Sequence, residues 1–230
     1  MFSRTDLVQV PEVSGRLSLG MPPAKAAVAV PFAYKVAGLG VPNVLDLGSG
    51  KGYMARILAN EFALKVCCVD REPDRLRSSL RVHRLIQTEI VTDTTLVPSG
   101  KMVTVAGDIA DDRPIWSRAA RFYRLDTPVH QEIQEVVVAG LQLCGELVYH
   151  AADLAMNCPK DQVRVSRLVV VPCCLHRIER LRCSKVTGPN ILADTIFADI
   201  RQYLLDKGFG EVQIEYLNDG YYCVEASVPG

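Results

Sequence analysis

The sequence predicts an α/β domain: a seven-stranded sheet, parallel through its first five strands, with helices packed between them. Three features lead there. Short apolar runs alternate with segments of helical composition from residue 24 to residue 207, the pattern of βα units around a sheet buried on both faces. The first run, Val44-Leu45-Asp46-Leu47, stops in the alternating glycines Gly48, Gly50 and Gly52. The chain then closes with two alternating segments, 211–216 and 221–226, around Asn218-Asp219-Gly220, which reads as an antiparallel hairpin.

Size and composition fit one such domain, read as residues 21–230, preceded by residues 1–20 as a loosely held arm without periodicity. The formal net charge is zero, so any surface that attracts nucleic acid must be local. Eight cysteines include the vicinal pairs Cys67-Cys68 and Cys173-Cys174 but no C-x-x-C. Without an apolar secretory signal, the expectation is reduced thiols in the cytoplasm, with neither a disulfide framework nor a metal. Residues 1–20 mix Arg4 and Arg16 with Asp6 and Glu12, a poor mitochondrial presequence, which leaves the mitochondrion as the second location. No run reaches the roughly 18 apolar residues that a membrane span needs.

In order, Pro22-Pro23 opens a helix over 24–39, ended by Gly38 and Gly40. Strand one is 44–47, and the glycines turn it into a helix over 53–62. Their lack of side chains lets a ligand approach the main chain, and the helix start points amides at it. Strand two, 64–70, ends in Asp70; a basic helix with Arg75, Arg77, Arg81, His83 and Arg84 runs over 73–87. A polar loop leads to strand three, 102–108, which ends in Asp108, and a weak helix covers 113–124. Strand four is 135–143, followed by a helix over 147–157. Strand five is 168–171, stopped by Pro172, and an amphipathic helix over 189–207 is closed by Gly208.

The glycine spacing decides the ligand. G-x-G-x-G with an acid two residues ahead fits neither the dinucleotide fingerprint nor the Walker loop. It is similar to motif I of the S-adenosylmethionine-dependent methyltransferases, whose cofactor carries a cationic sulfonium and an amino-acid end. Asp46 then meets the cationic end, and Asp70, about 20 residues on, takes the ribose hydroxyls. Asp108 falls where these enzymes place an acid near the adenine amino group. The resemblance implies the Rossmann-like methyltransferase sheet order 3-2-1-4-5-7-6, with strand seven antiparallel. The plain alternative is an α/β domain whose acids cap helices.

In such a sheet the acceptor meets the ends of strands four and five. There His176 offers a base and Arg177 an anchor for an acidic group. Arginines 164, 167, 177, 180 and 182 with Lys185 read either as a basic rim for RNA or as a solvated face paired with acids. Cys144 and Cys173 or Cys174 stand where cytosine-C5 methyltransferases keep cysteine nucleophiles, although Leu143-Cys144-Gly145 lacks the proline-cysteine of that group. Small buried thiols are the plainer reading. A metal held by Cys173, Cys174 and His176 is disfavoured, because adjacent residues ligate one tetrahedral ion poorly.

Three segments together, Met21-Pro22-Pro23-Ala24-Lys25, Gly140-Leu141-Gln142-Leu143-Cys144-Gly145 with Asp153, and Pro172-Cys173-Cys174-Leu175-His176-Arg177, resemble a narrower group. It comprises the methyltransferase-like 25 proteins, the methyltransferase half of the glutathione S-transferase C-terminal domain-containing protein, and the eukaryotic tRNA 2'-O-methyltransferase. Gln142 stands where that group has histidine, and Ala24 replaces the first lysine of a pair. The tRNA specificity of the 2'-O-methyltransferase does not carry over, and the expected substrate, RNA or a ribonucleoprotein, rests on the basic rim. Its rivals are a protein or small-molecule acceptor, and a silent scaffold in a ribosomal assembly.

Overall fold

The computed structural model of the chain describes residues 17–92, 100–125, 133–178, 181–183, 193–218 and 221–229. One sheet holds seven strands in the order β3-β2-β1-β4-β5-β7-β6: β1 (Asn43–Leu47), β2 (Lys65–Asp70), β3 (Met102–Ala106), β4 (Gln134–Cys144), β5 (Val163–Cys173), β6 (Val212–Asn218) and β7 (Tyr221–Ser227). The first five are parallel, and β7 runs antiparallel to both β5 and β6. The expected order and the antiparallel last strand are therefore both found.

The helices are α1 (Pro23–Ala37), α2 (Tyr53–Glu61), α3 (Pro73–Thr92), α4 (Asp112–Arg124), α5 (Leu147–Met156) and α6 (Ala193–Asp206). Because side chains alternate across a strand, Leu45, Leu47 and Val138 pack on one face with α4, α5 and α6. Val44, Val137 and Ala139 pack on the other with α1, α2 and α3. Burial on both sides explains the unbroken apolar strands of the sequence.

Element limits shift for physical reasons. β5 starts five residues before the predicted 168, because Val163–Arg167 alternates between buried and open positions and lacks the continuous apolar character used to find strands. α3 runs on to Thr92 rather than ending at residue 87; its last turns hold β-branched residues of low helix propensity, and Thr88 Oγ1 donates to the Arg84 carbonyl at 3.0 Å. The predicted start of the last long helix at residue 189, and Asp219 and Gly220 of the hairpin turn, lie outside the described residues.

Residues 17–20, read as part of the arm, are fastened to the domain. Leu17 is buried, the Arg56 guanidinium donates to the Leu19 carbonyl at 3.1 Å, and the Tyr53 hydroxyl donates to the Gly20 carbonyl at 2.7 Å.

Candidate cofactor and acceptor site

The turn after β1 is built from glycine for two separable reasons. Gly48, Gly50 and Gly52 all have positive φ, between 54° and 66°, which side chains with a Cβ adopt only at a cost. At Gly52 space is also lacking: a Cβ there would come within 1.9 Å of the Ser79 hydroxyl oxygen on α3. The turn is laced to β2, since the Ser49 amide donates to the Val69 carbonyl at 2.9 Å and the Gly50 amide to Asp70 Oδ2 at 2.8 Å. The other Asp70 oxygen accepts the Glu72 amide at 2.9 Å.

Asp46 is the outlier. It is 1% exposed, and neither carboxylate oxygen has a hydrogen-bond partner. Burial, and then the neighbouring charge of Asp70, push its pKa well above the usual carboxylate range. A buried acid without a partner is costly; a cation entering from the cavity removes that cost. The cavity it lines has a volume of about 870 Å³ and extends from Gly48, Ser49 and Gly50 to Cys144, Cys173 and Cys174 at the ends of β4 and β5.

The far end depends on a bulge. Gln142 has φ 58° and interrupts the β4–β5 register between Leu141 and Leu143. Residues 141 and 143 of a regular strand share one face. Here Leu141 packs with the α1–α3 side and Leu143 with the α4–α6 side, where its side chain lies 3.2 Å from the position of a Cβ on Gly48. The bulge thus closes the floor under the glycine turn and leaves Cys144 paired with Cys173 in register. Three thiols meet there: Cys144 Sγ lies 3.1 Å from Cys173 Sγ and 3.6 Å from Cys174 Sγ, and the last two are 3.7 Å apart. Burial and the sulfur neighbours push the Cys173 thiol strongly up, away from the thiolate that nucleophilic attack requires.

The predicted site residues separate into groups. Asp46, Gly48 and Gly50 line the cavity; Asp70 and Gly52 support the turn from behind. Asp108, expected to close strand three, is exposed two residues beyond β3, which ends at Ala106, and its Oδ1 accepts the Ala110 amide at 3.0 Å. His176 and Arg177 belong to the 3-10 turn Leu175–Arg177, with Arg177 exposed and its Cβ 3.3 Å from where a Gly145 Cβ would stand. Asp153, named only for the resemblance to the narrower group, holds α6 against α5: it accepts the Tyr203 hydroxyl at 2.7 Å and pairs with Lys207 at 2.6 Å.

The basic rim divides too. Arg164 pairs with Glu135 at the opposite end of β5, Arg167 lies near Glu225, and Arg182 pairs with Glu146. Arg180 and Lys185 lie outside the described residues. The cations at the cavity are others: Lys25 from α1, Lys51 from the turn and Arg75 from α3. Phe197, Tyr221 and Tyr222 add an aromatic wall, with Phe197 and Tyr222 centroids 5.3 Å apart. Sequence reading missed these aromatics because α6 and β7 carry them as ordinary amphipathic positions.

A mixed sheet of this order with an acid-and-glycine turn at its switch point defines a Rossmann-like cofactor-binding protein. A family model described as a methyltransferase domain matches residues 31–181, and the chain belongs to that family, the S-adenosylmethionine-dependent methyltransferases. The enzyme class and the cofactor come with it. No curated protein sequence matches the chain. Among solved structures, a candidate O-methyltransferase from Nostoc punctiforme is similar over 89% of this chain, at 15% identity and a TM-score of 0.53; the chain spans 58% of that protein's length. A fibrillarin/Nop5p complex is similar over 86% of this chain and 82% of that one, at 11% identity and a TM-score of 0.51. These likenesses are of fold.

S-adenosylmethionine fits the residues present. The unpartnered Asp46 carboxylate suits its cationic end, and the Gly50 position is open, with no atom closer than 3.9 Å to a Cβ placed there.

Proposed function

We propose that the chain methylates RNA, alone or within a ribonucleoprotein, and that it is kin to the methyltransferase-like 25 and tRNA 2'-O-methyltransferase group. The observation that carries this reading is the composition of the cavity wall: it holds the aromatics Phe197, Tyr221 and Tyr222 together with the cations Lys25, Lys51 and Arg75. Unpaired bases stack on aromatic faces, and phosphates take cations without regard to sequence. A second basic strip continues along α3, where exposed Arg81 and Arg84 border a shallow surface depression with Arg77. A neutral protein needs only such local surfaces.

The cofactor supplies a methyl group from its sulfonium. On this reading Asp46 neutralises the cationic end, and Gly48 and Gly50 admit it to the main chain. Gly52 keeps the turn against α3. Asp70 offers the ribose hydroxyls the lone pairs that its two amide partners leave free, and Asp108 serves the adenine edge. His176 takes the acceptor's proton and Arg177 anchors an acidic group of the substrate. A small-molecule acceptor is the second reading, favoured by a cavity volume typical of drug-sized ligands.

Labelled methyl transfer to total RNA and to total protein, side by side, tests the proposal. Label in RNA, with retention that weakens steeply as salt rises, supports it. Label in protein or in the small-molecule fraction alone removes the RNA assignment. An absence of cofactor binding at millimolar concentration leaves the scaffold reading.

A further inference from the structure

The structure assigns a second chemistry to the acceptor end: Cys144, Cys173 and Cys174 form a three-thiolate site for one zinc ion, with its fourth position turned to the cavity. The inference does not depend on RNA being the substrate. Among the described residues this is the one group of His, Cys, Asp or Glu whose ligand atoms converge closely enough to hold an ion, all lying within 4.8 Å of one another.

Size supports it. Zinc–sulfur bonds of about 2.3 Å at tetrahedral angles set sulfur atoms about 3.8 Å apart. The edges at 3.6 and 3.7 Å are within about 0.2 Å of that spacing, and the 3.1 Å edge opens by about 0.7 Å. Adjacent cysteines seldom serve one ion because a regular strand sends their side chains to opposite faces. Here Cys174 leaves the strand in the left-handed region, φ 51° and ψ 43°, which returns its sulfur to the side of Cys173. Gln142, with φ 58°, is the second non-glycine residue bent this way beside the cluster. Backbone bent against residue preference at two points around three sulfur atoms marks a built site.

Chemistry supports it as well. Three cysteines supply soft ligands of the kind zinc selects, and the half-buried cluster lines the cavity. The fourth ligand is then a water or an acceptor atom, the open arrangement of reactive rather than purely structural zinc sites. The Gln142 carbonyl, 3.0 Å from Cys173 Sγ, accepts its thiol hydrogen in the metal-free protein; zinc displaces that proton.

The test uses the full chain, kept reduced, loaded with zinc and dialysed, with metal measured by mass spectrometry. One zinc per chain is expected. In the cobalt-loaded protein, intense sulfur-to-cobalt charge-transfer bands should appear. Cys144→Ser and Cys174→Ser should each weaken zinc binding at least about tenfold, whereas Cys158→Ser, outside the cluster, should leave it unchanged. Alkylation of the folded wild type gives a readout that needs no variant: zinc should protect three thiols. Failure of the wild type to retain zinc, equal retention by Cys144→Ser, or a Cys144–Cys173 disulfide in the protein as isolated would each overturn the assignment.

Discussion

The two ends of the cavity are built on different principles. The cofactor end is a backbone device: three glycines at positive φ, amides laced to β2 and one buried acid, all within or directly after two short strands. The acceptor end is a side-chain device, gathered from β4, β5, α6 and β7 around a bulge at Gln142. Constraints of the first kind leave a local trace in sequence, because only glycine fits. Those of the second kind leave almost none, since cysteine, tyrosine and glutamine are all tolerated elsewhere in a domain.

If the cofactor end is fixed by its backbone, the most severe damage should come from adding one methyl group there. Gly52→Ala places a Cβ in a left-handed conformation and against the buried Ser79 hydroxyl. We expect a loss of ~2–4 kcal/mol in urea unfolding. Adding Ser79→Gly to that variant should recover the steric part and leave the conformational part. A wild-type midpoint for Gly52→Ala would mean that the turn is not held as described.

Asp46 tests whether stability was given up for binding at this end. Asp46→Asn should weaken S-adenosylmethionine binding by ~1.5–3 kcal/mol in calorimetry, as a charge-assisted contact is lost. The same change should make the cofactor-free protein more stable at neutral pH. The raised pKa of Asp46 gives the sign. Below about pH 4 folded and unfolded chains both hold the proton; as pH rises the unfolded chain ionises first, so stability falls until the raised folded value is passed. Asparagine removes that fall. A variant that is less stable at pH 7 and binds the cofactor normally would contradict both halves of the argument.

His83 reports on the seam between α2 and α3 that backs the turn. Burial, then Arg56 and Arg84, lower its pKa to about 4, and its Nδ1 lies 3.4 Å from the Asn60 amide. The imidazole is therefore neutral when folded, and protonates in the unfolded chain below about pH 6.5. Stability from this group is complete above that value and is lost as pH falls toward 4, by ~1–3 kcal/mol. His83→Gln should flatten thermal stability across that window. An unchanged slope would place the acid sensitivity in other groups.

The same contrast explains what the sequence disclosed. The turn and the positions of Asp46 and Asp70 were legible because strand runs ending in glycine or acid are local patterns, and the sheet order followed from the family that those patterns resemble. Arg164 and Arg167 were misplaced because β5 begins five residues earlier than its continuous apolar run, which puts them toward the far end of the sheet. Asp153, noticed only as part of a shared segment, ties Tyr203 and Lys207 to α5. The thiols were legible as neighbours at two strand ends, but the convergence of all three sulfur atoms was not, because it needs a left-handed Cys174 and a bulged Gln142, and neither conformation is announced by its residue type.

Asp108 sets the lower limit of the comparison. Sequence reading gave it the same rule as Asp70, an acid closing a strand beside β1 or β2, but Asp70 ends β2, is 6% exposed and holds two amides, whereas Asp108 stands in solvent two residues past β3 and holds one. A hydrogen bond made in water exchanges one partner for another and gains little. Asp108→Ala should therefore weaken cofactor binding by no more than ~0.5 kcal/mol in calorimetry, about a twofold change. The Ala110 amide, turned to solvent, finds water in its place. A loss approaching that of Asp46→Asn would mean that the adenine edge is enclosed when the cofactor is bound, and that the backbone-built end of the cavity extends past β2 to β3.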